Sequence, residues 1–347
     1  MAKQRILLPD ILKGVAVIFM IQVHIMKLFA TTEVLESFAG KLTLFFGGPP
    51  AAPVFMAVMG FFIATSNKKP TQDLQRGFKL IGLGFLLNIG MNIHVLTKIF
   101  TGALDLNPWH YLFGVDILFL AGLSIILLTS MKYLFGKKLL PFILLSAIAA
   151  FIHHFLPVHQ GEITWITYFQ SFFWGEFAWS YFPFLPWIIY PTVGFIFRIV
   201  LENYQLEQVS SKGLVYFIFS LLIILWISLP MAFDVPYSLT GRYYQKPFLV
   251  AWVLLFLLFW VMLFKYWTVN RSQWPFFSYL AWVGENVTVF YVFQWLIIGN
   301  LATAIYRTQH GIMLVLWFIA ILIISSFLVF IWKKLSVSRK RSQSFVV

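Results

Sequence analysis

Cysteine is absent from the 347 residues, which excludes a disulfide framework, a thiolate metal site and a cysteine nucleophile. Charge is scarce too. Asp, Glu, Lys and Arg make up 11% of the chain, whereas a soluble domain carries about 25%, so a water-facing surface cannot be covered. Acids are scarcer than bases, 12 against 25, which leaves a formal net charge of +13. An excess of that size would suit nucleic acid if it formed one basic face, but Lys and Arg here sit in short loops between apolar runs. Nucleic acid is therefore excluded as a partner, and the cations read as topology signals. Nor is any polar block long enough to fold separately.

What is abundant is apolar sequence, 61% of residues, with a mean hydropathy of +0.86. A spanning helix needs about 20 apolar residues, and windows of that size fit at 7–30, 44–66, 77–97, 110–131, 139–157, 179–200, 213–232, 247–265, 276–299 and 309–332. The expectation is an all-α polytopic membrane protein of about ten transmembrane helices, one domain over 1–347, with the lipid bilayer as its solvent. The first run is too long for a signal peptide, carries Asp10 and Lys13, and lacks a small-residue cleavage site, so it is expected to stay. The aromatic stretch at 161–178 reads as a re-entrant or interfacial piece.

Cytoplasmic loops should hold the excess of Lys and Arg. With the N-terminus inside, six of the 25 fall outside: Lys27, Lys41, Lys98, Arg242, Lys246 and Arg307. The other nineteen fall inside, and every inner loop obeys the rule. Nine or eleven spans would scramble that alternation, so both termini are expected in the cytoplasm.

Ionisable groups inside spans are costly and are functional candidates by default. They are Asp10, Lys13 and His24 in the first window, His94 in the third, Asp116 in the fourth and Glu285 in the ninth, with amides Asn88, Asn92, Asn286 and Gln294 nearby. His153, His154 and His159 lie at the outer end of the fifth window and read as interfacial. Tryptophans such as Trp165, Trp174, Trp179, Trp187 and Trp274 fall near span ends and read as anchors.

The first window carries most. At about 100° per residue, the eleven-residue step from Lys13 to His24 closes to within about 20° of whole turns, so both share one face roughly 16 Å apart. Asp10 and Lys13 are an i,i+3 pair. Val17 and Met20 fill the stripe between them, with Gly14 beside it, giving a slot with polar ends. A long ligand with an anionic head at Lys13 and a reactive end at His24 would fit, and acyl-coenzyme A has that shape. Neutral imidazole, with an unperturbed pKa of about 6.5, suits a general base there. Bland readings exist for both: Lys13 as a snorkelling anchor and His24 as an interhelical hydrogen-bonding group.

The run Pro9-Asp10-Ile11-Leu12-Lys13-Gly14-Val15-Ala16, followed by Met20 and His24, resembles the opening of transmembrane acyltransferases of the acyltransferase-3 and heparan-α-glucosaminide N-acetyltransferase-like superfamily. Those begin with an Asp-x-x-Arg-Gly-x-Ala run ending in a His. Segments 47–64, 114–128, 180–198 and 283–297 are similar to four further signatures in order, among them Pro-x-Phe-x-x-x-x-Gly in the second span and a late Gly-x-Asn-Ser-x-x-x-Tyr. The bacterial branch is the nearer match, which implies a bacterial inner membrane. Lys13 stands where the family usually shows Arg, keeping the charge without the bidentate fork for phosphate. The lysosomal His-Ala-Ser-Trp context is missing, so His24 alone carries over as base.

The resemblance implies acyl transfer from cytoplasmic acyl-coenzyme A, acetyl being the expected group, to a hydroxyl or amine of an extracytoplasmic glycan or lipid-linked sugar, without a metal. On this reading Lys13, Arg76 and Lys79 form a cationic mouth for the coenzyme phosphates. Asp116, at a depth comparable to His24, would orient the imidazole, with Asp10 the second acidic candidate. Asn286 and Asn92 would polarise the thioester carbonyl, and Glu285 stands near the substrate where the family shows a small or basic residue. The competing class is a secondary transporter with Asp10, Lys13, Asp116 and Glu285 as midplane relays. It predicts internal repeats, and the PDILKG-to-His pattern has no second copy.

Overall fold

The computed structural model describes residues 7–48, 50–152, 155–157, 162–204, 211–233, 245–268 and 274–344. His153, His154 and His159 lie outside them. In chain order the helices are α1 (Leu7–Phe29), α2 (Thr32–Glu36), α3 (Phe38–Phe46), α4 (Ala52–Thr65), α5 (Pro70–Met91), α6 (Ile93–Phe100), α7 (Pro108–Leu112), α8 (Ile117–Phe135), α9 (Leu139–Ile152), α10 (Trp165–Ser171), α11 (Phe184–Trp187), α12 (Ile189–Tyr204), α13 (Ser211–Phe233), α14 (Pro247–Thr268), α15 (Pro275–Glu285), α16 (Val287–Ile305) and α17 (Gly311–Ser344). Extended structure among the described residues is limited to two isolated bridges.

Among the described residues seven segments are long and apolar enough to cross a bilayer, or eight if α5 and α6, bent by 60°, count as one span. The protein is thus an all-α polytopic membrane protein. The windows at 44–66 and 139–157 hold helices of only 14 residues, α4 and α9. Each is about 21 Å long against a hydrocarbon core of about 30 Å. The Gly-Gly-Pro-Pro run at 47–50 explains the first, because the helix restarts only with Pro53 in its first turn. The window at 276–299 is broken at Asn286, whose φ of -104° and ψ of 21° leave the regular helix. The Trp282 and Phe290 rings lie 5.4 Å apart across the break, whereas eight residues of straight helix advance about 12 Å. The 161–178 stretch contains the short helix α10.

α1 is apolar on nearly every side and sits centrally, touching α3, α4 and α14 to α17. Its C-terminal end meets the segment before α17: Arg307 N donates to Leu28 O (2.9 Å), Gln309 N to Phe29 O (2.8 Å) and Thr31 N to Gln309 O (3.0 Å). α17 then runs back along α1, so the two helices leave their shared turn in opposite senses. α4 and α12 cross with their backbones in contact, since a Cβ on Gly60 would lie 1.8 Å from Pro191 O and one on Gly194 1.9 Å from Ala57 O. Lys132 closes the end of α4, donating to Ile63 O (2.9 Å) and Ser66 O (2.7 Å) where a helix has free carbonyls.

Candidate functional site

The i,i+3 pair of α1 forms as its spacing requires. Lys13 Nζ lies 2.8 Å from Asp10 Oδ1, with Asp10 only 3% exposed. The ammonium also sits 5.5 Å from the centroid of Phe62 on α4. α15 holds this stretch in place, because Gly14 faces Leu280 O and Gly284 faces Asp10 O with no room for a side chain.

Lys13 opens onto a cavity of about 140 Å³ bounded by α1, α4, α5, α8 and α16. Its polar lining is Lys13, Arg76, Thr288 and Tyr291, and the rest is apolar, including Met56, Phe62, Leu80 and Leu118. Among the described residues no carboxylate pairs with Arg76. The nearest acid on its helix, Asp73, is engaged by Ser66 Oγ at 2.8 Å. Lys79, the third cation of the expected mouth, is exposed and is not among the residues lining this cavity.

Tyr291 is buried and its hydroxyl donates to Asp116 Oδ2 at 3.2 Å. Asp116 is not a mid-span residue. Gly114 and Val115 precede it in an extended segment, with Val115 N bonded to Trp179 O, and Asp116 caps α8 by accepting from Leu118 N (2.9 Å) and Phe119 N (3.4 Å). Its carboxylate serves that helix terminus and Tyr291.

His24 is half-buried, and its ring lies 4.1 Å from that of Trp295 on α16. Trp295 in turn neighbours Tyr291, with centroids 6.5 Å apart. The stripe between Lys13 and His24 is not an open slot, because Val17 is fully buried and Met20 nearly so. Polar continuity from Lys13 runs instead across the cavity to Tyr291, with Trp295 beside His24 beyond it.

The remaining candidates serve joints between helices. Asn92 Nδ2 donates to Asn88 O (2.9 Å) and Tyr111 O (3.4 Å) at the α5–α6 bend, and buried Asn88 donates to Leu112 O and Gly114 O. His94 meets Asn300 through its backbone N–H and Nδ1. Asn286 Nδ2 returns to Trp282 O at the α15–α16 break, one residue before the cavity wall at Val287 and Thr288. Glu285 pairs with Lys333 at 3.3 Å and is exposed. None of Asn92, Asn286 and Glu285 lines the cavity. A larger groove of about 410 Å³ between α1, α3 and α17 has Gln22 and Thr43 as its polar lining, with Gln22 bonded to Thr43 O. It carries no charge for an anionic head.

Sequence reading passed over Thr288, Tyr291 and Trp295. Thr288 and Tyr291 stand three apart on α16, the spacing of one helix face, and Tyr291 closes the late motif quoted above. No curated protein matches this chain. A family model does, over residues 5–231, which takes in Asp10, Lys13, His24, Arg76 and Asp116. The chain belongs to the family of the heparan-α-glucosaminide N-acetyltransferase catalytic domain, transmembrane acetyltransferases.

Proposed function

We propose that the protein takes an acyl group, with acetyl expected, from cytoplasmic acyl-coenzyme A and passes it to a hydroxyl or amine of an extracytoplasmic glycan or lipid-linked sugar. The observation that carries the reading is the cavity with Lys13 and Arg76 in its wall, Arg76 making no ion pair among the described residues, and a buried polar pair at Tyr291. Two cations suit the phosphates of the donor, while the apolar walls exclude water from a thioester. The acceptor oxygen or nitrogen bonds to the acyl carbon, the carbon–sulfur bond breaks, and the acceptor proton goes to His24 as general base while coenzyme A leaves as the thiolate. Asp10 fixes the Lys13 ammonium.

Titrating detergent-purified protein with coenzyme A tests the donor half. Arg76→Gln and Lys13→Ala are each expected to weaken binding by about tenfold at low salt, the worth of one charge-assisted contact, and by less at high salt, where screening is stronger. Arg76 is exposed, so its variant has no folding complication, whereas Lys13→Ala removes an ion partner of buried Asp10 and needs a melting curve beside it. Wild-type protein that ignores coenzyme A would sink the reading.

A further inference from the structure

Arg307 is the one non-glycine residue with positive φ among the described residues, at 54°. In that left-handed region a side chain crowds its own backbone, and glycine is the residue that enters it freely. The backbone of this turn has a clear task. Arg307 N and Gln309 N take the carbonyls of Leu28 and Phe29, which end α1 and lack partners within the helix. Glycine would perform that task with less strain, so the arginine is explained by its side chain. That side chain is exposed and pairs with no carboxylate among the described residues. Its guanidinium rests 5.4 Å from the centroid of Tyr306, itself 54% exposed. Its position is informative too. Leu28 follows His24 by four residues, one turn or about 6 Å along α1, and Arg307 lies just beyond the span of α16 that carries Trp295 against His24.

We infer that Arg307 is a specificity-determining contact for a negatively charged group on the acceptor, a carboxylate of a glycan or a phosphate of a lipid-linked sugar. The inference rests on the acyl-transfer reading above and adds to it the charge class of the acceptor. A guanidinium presents paired N–H groups that match two oxygens of either anion, and the Tyr306 ring beside it offers an apolar face to a sugar. One turn of α1 is about the reach of a single sugar unit. An anion held at Arg307 therefore leaves a neighbouring hydroxyl or amine near His24. Arg307 lies outside residues 5–231 matched by the family model, so the contact belongs to the later part of this chain.

Acceptor kinetics of full-length protein in zwitterionic liposomes, with labelled acetyl-coenzyme A, test it on three probes: methyl glucosaminide, glucosaminyl-glucuronate and glucosamine 1-phosphate. Wild type is expected to show a KM about fivefold lower for an anionic probe than for methyl glucosaminide, the worth of a well-formed exposed ion pair. Which anionic probe it favours tells carboxylate from phosphate. Added salt should shrink the preference. Arg307→Gly should erase it while melting at or above the wild type, because the backbone is relieved, and Arg307→Lys, which keeps the charge without the fork, should retain part of it. A wild type that treats the three probes alike overturns the inference and leaves the acyl-transfer reading intact. So does an Arg307→Gly protein that loses equally on all three or melts well below the wild type. Unchanged KM values with a melting shift confined to vesicles containing anionic lipid would make Arg307 a headgroup anchor and overturn it as well. No transfer to any probe by the wild type overturns both.

Discussion

His24→Ala should reduce acetyl transfer by about 10²–10⁴-fold, the contribution of a positioned general base, while folded protein is still recovered. α1 is a continuous helix in which His24 is flanked by buried Val23 and Ile25, and alanine is the best helix former, so the backbone has no reason to change. The structural loss includes the face against Trp295, with ring centroids 4.1 Å apart, a contact worth about 1 kcal/mol. That is a small part of the stability of a protein packed around α1. Labelled acetyl-coenzyme A with methyl glucosaminide as a probe acceptor, in liposomes, gives the rate, and a melting curve separates chemistry from folding. A well-folded variant that turns over like wild type removes His24 from the mechanism. Loss of rate with normal coenzyme A affinity would support a chemical role, because His24 does not line the donor cavity.

Local spacing on one helix was the most legible level of this sequence. The Asp10–Lys13 pair follows from i,i+3 geometry alone, and the spans follow from apolar length together with loop cations. Failures came where a residue takes its partner from elsewhere in the chain. Asp116 was placed by counting inward from a window, yet an Asp directly before an apolar run is a helix-start signal. On that signal the span starts at residue 117, with Asp116 as its cap. Arg76 and Lys79 are one turn apart on α5, equally basic and both exposed, and only the packing of α8 and α16 against one side of that helix brings Arg76 to the cavity wall. Tyr291 gave no local signal except its spacing from Thr288, because a tyrosine in an apolar run is usually an anchor or core residue. Its meaning depends on Asp116, 175 positions away.

Gly284→Val is expected to remove most folded protein. A Cβ at 284 would lie 1.8 Å from Asp10 O and 2.8 Å from Gly14 N, and one at Gly14 would lie 2.0 Å from Leu280 O, so two backbones meet here with nothing flexible between them. A side chain that meets another side chain can turn aside at a cost of typically 1–3 kcal/mol. A carbonyl within a regular helix moves only if the whole helix moves, so the cost here should be at or above the top of that range. Displacing α15 from α1 would also carry away the stretch that holds Asp10 and Lys13, and with it one wall of the cavity. Valine brings a second penalty, being β-branched in the last turn before the break at Asn286. Gly82→Ala in α5 is the matched control, because nothing lies within 4 Å of its Cβ and alanine favours helix by about 1 kcal/mol over glycine. Size-exclusion profiles and melting curves of both variants should therefore diverge, Gly82→Ala at or above wild type and Gly284→Val collapsed or aggregated. A Gly284→Val protein that melts with the wild type would show that α1 and α15 do not pack at this distance, and the cavity geometry built on that contact would fall with it.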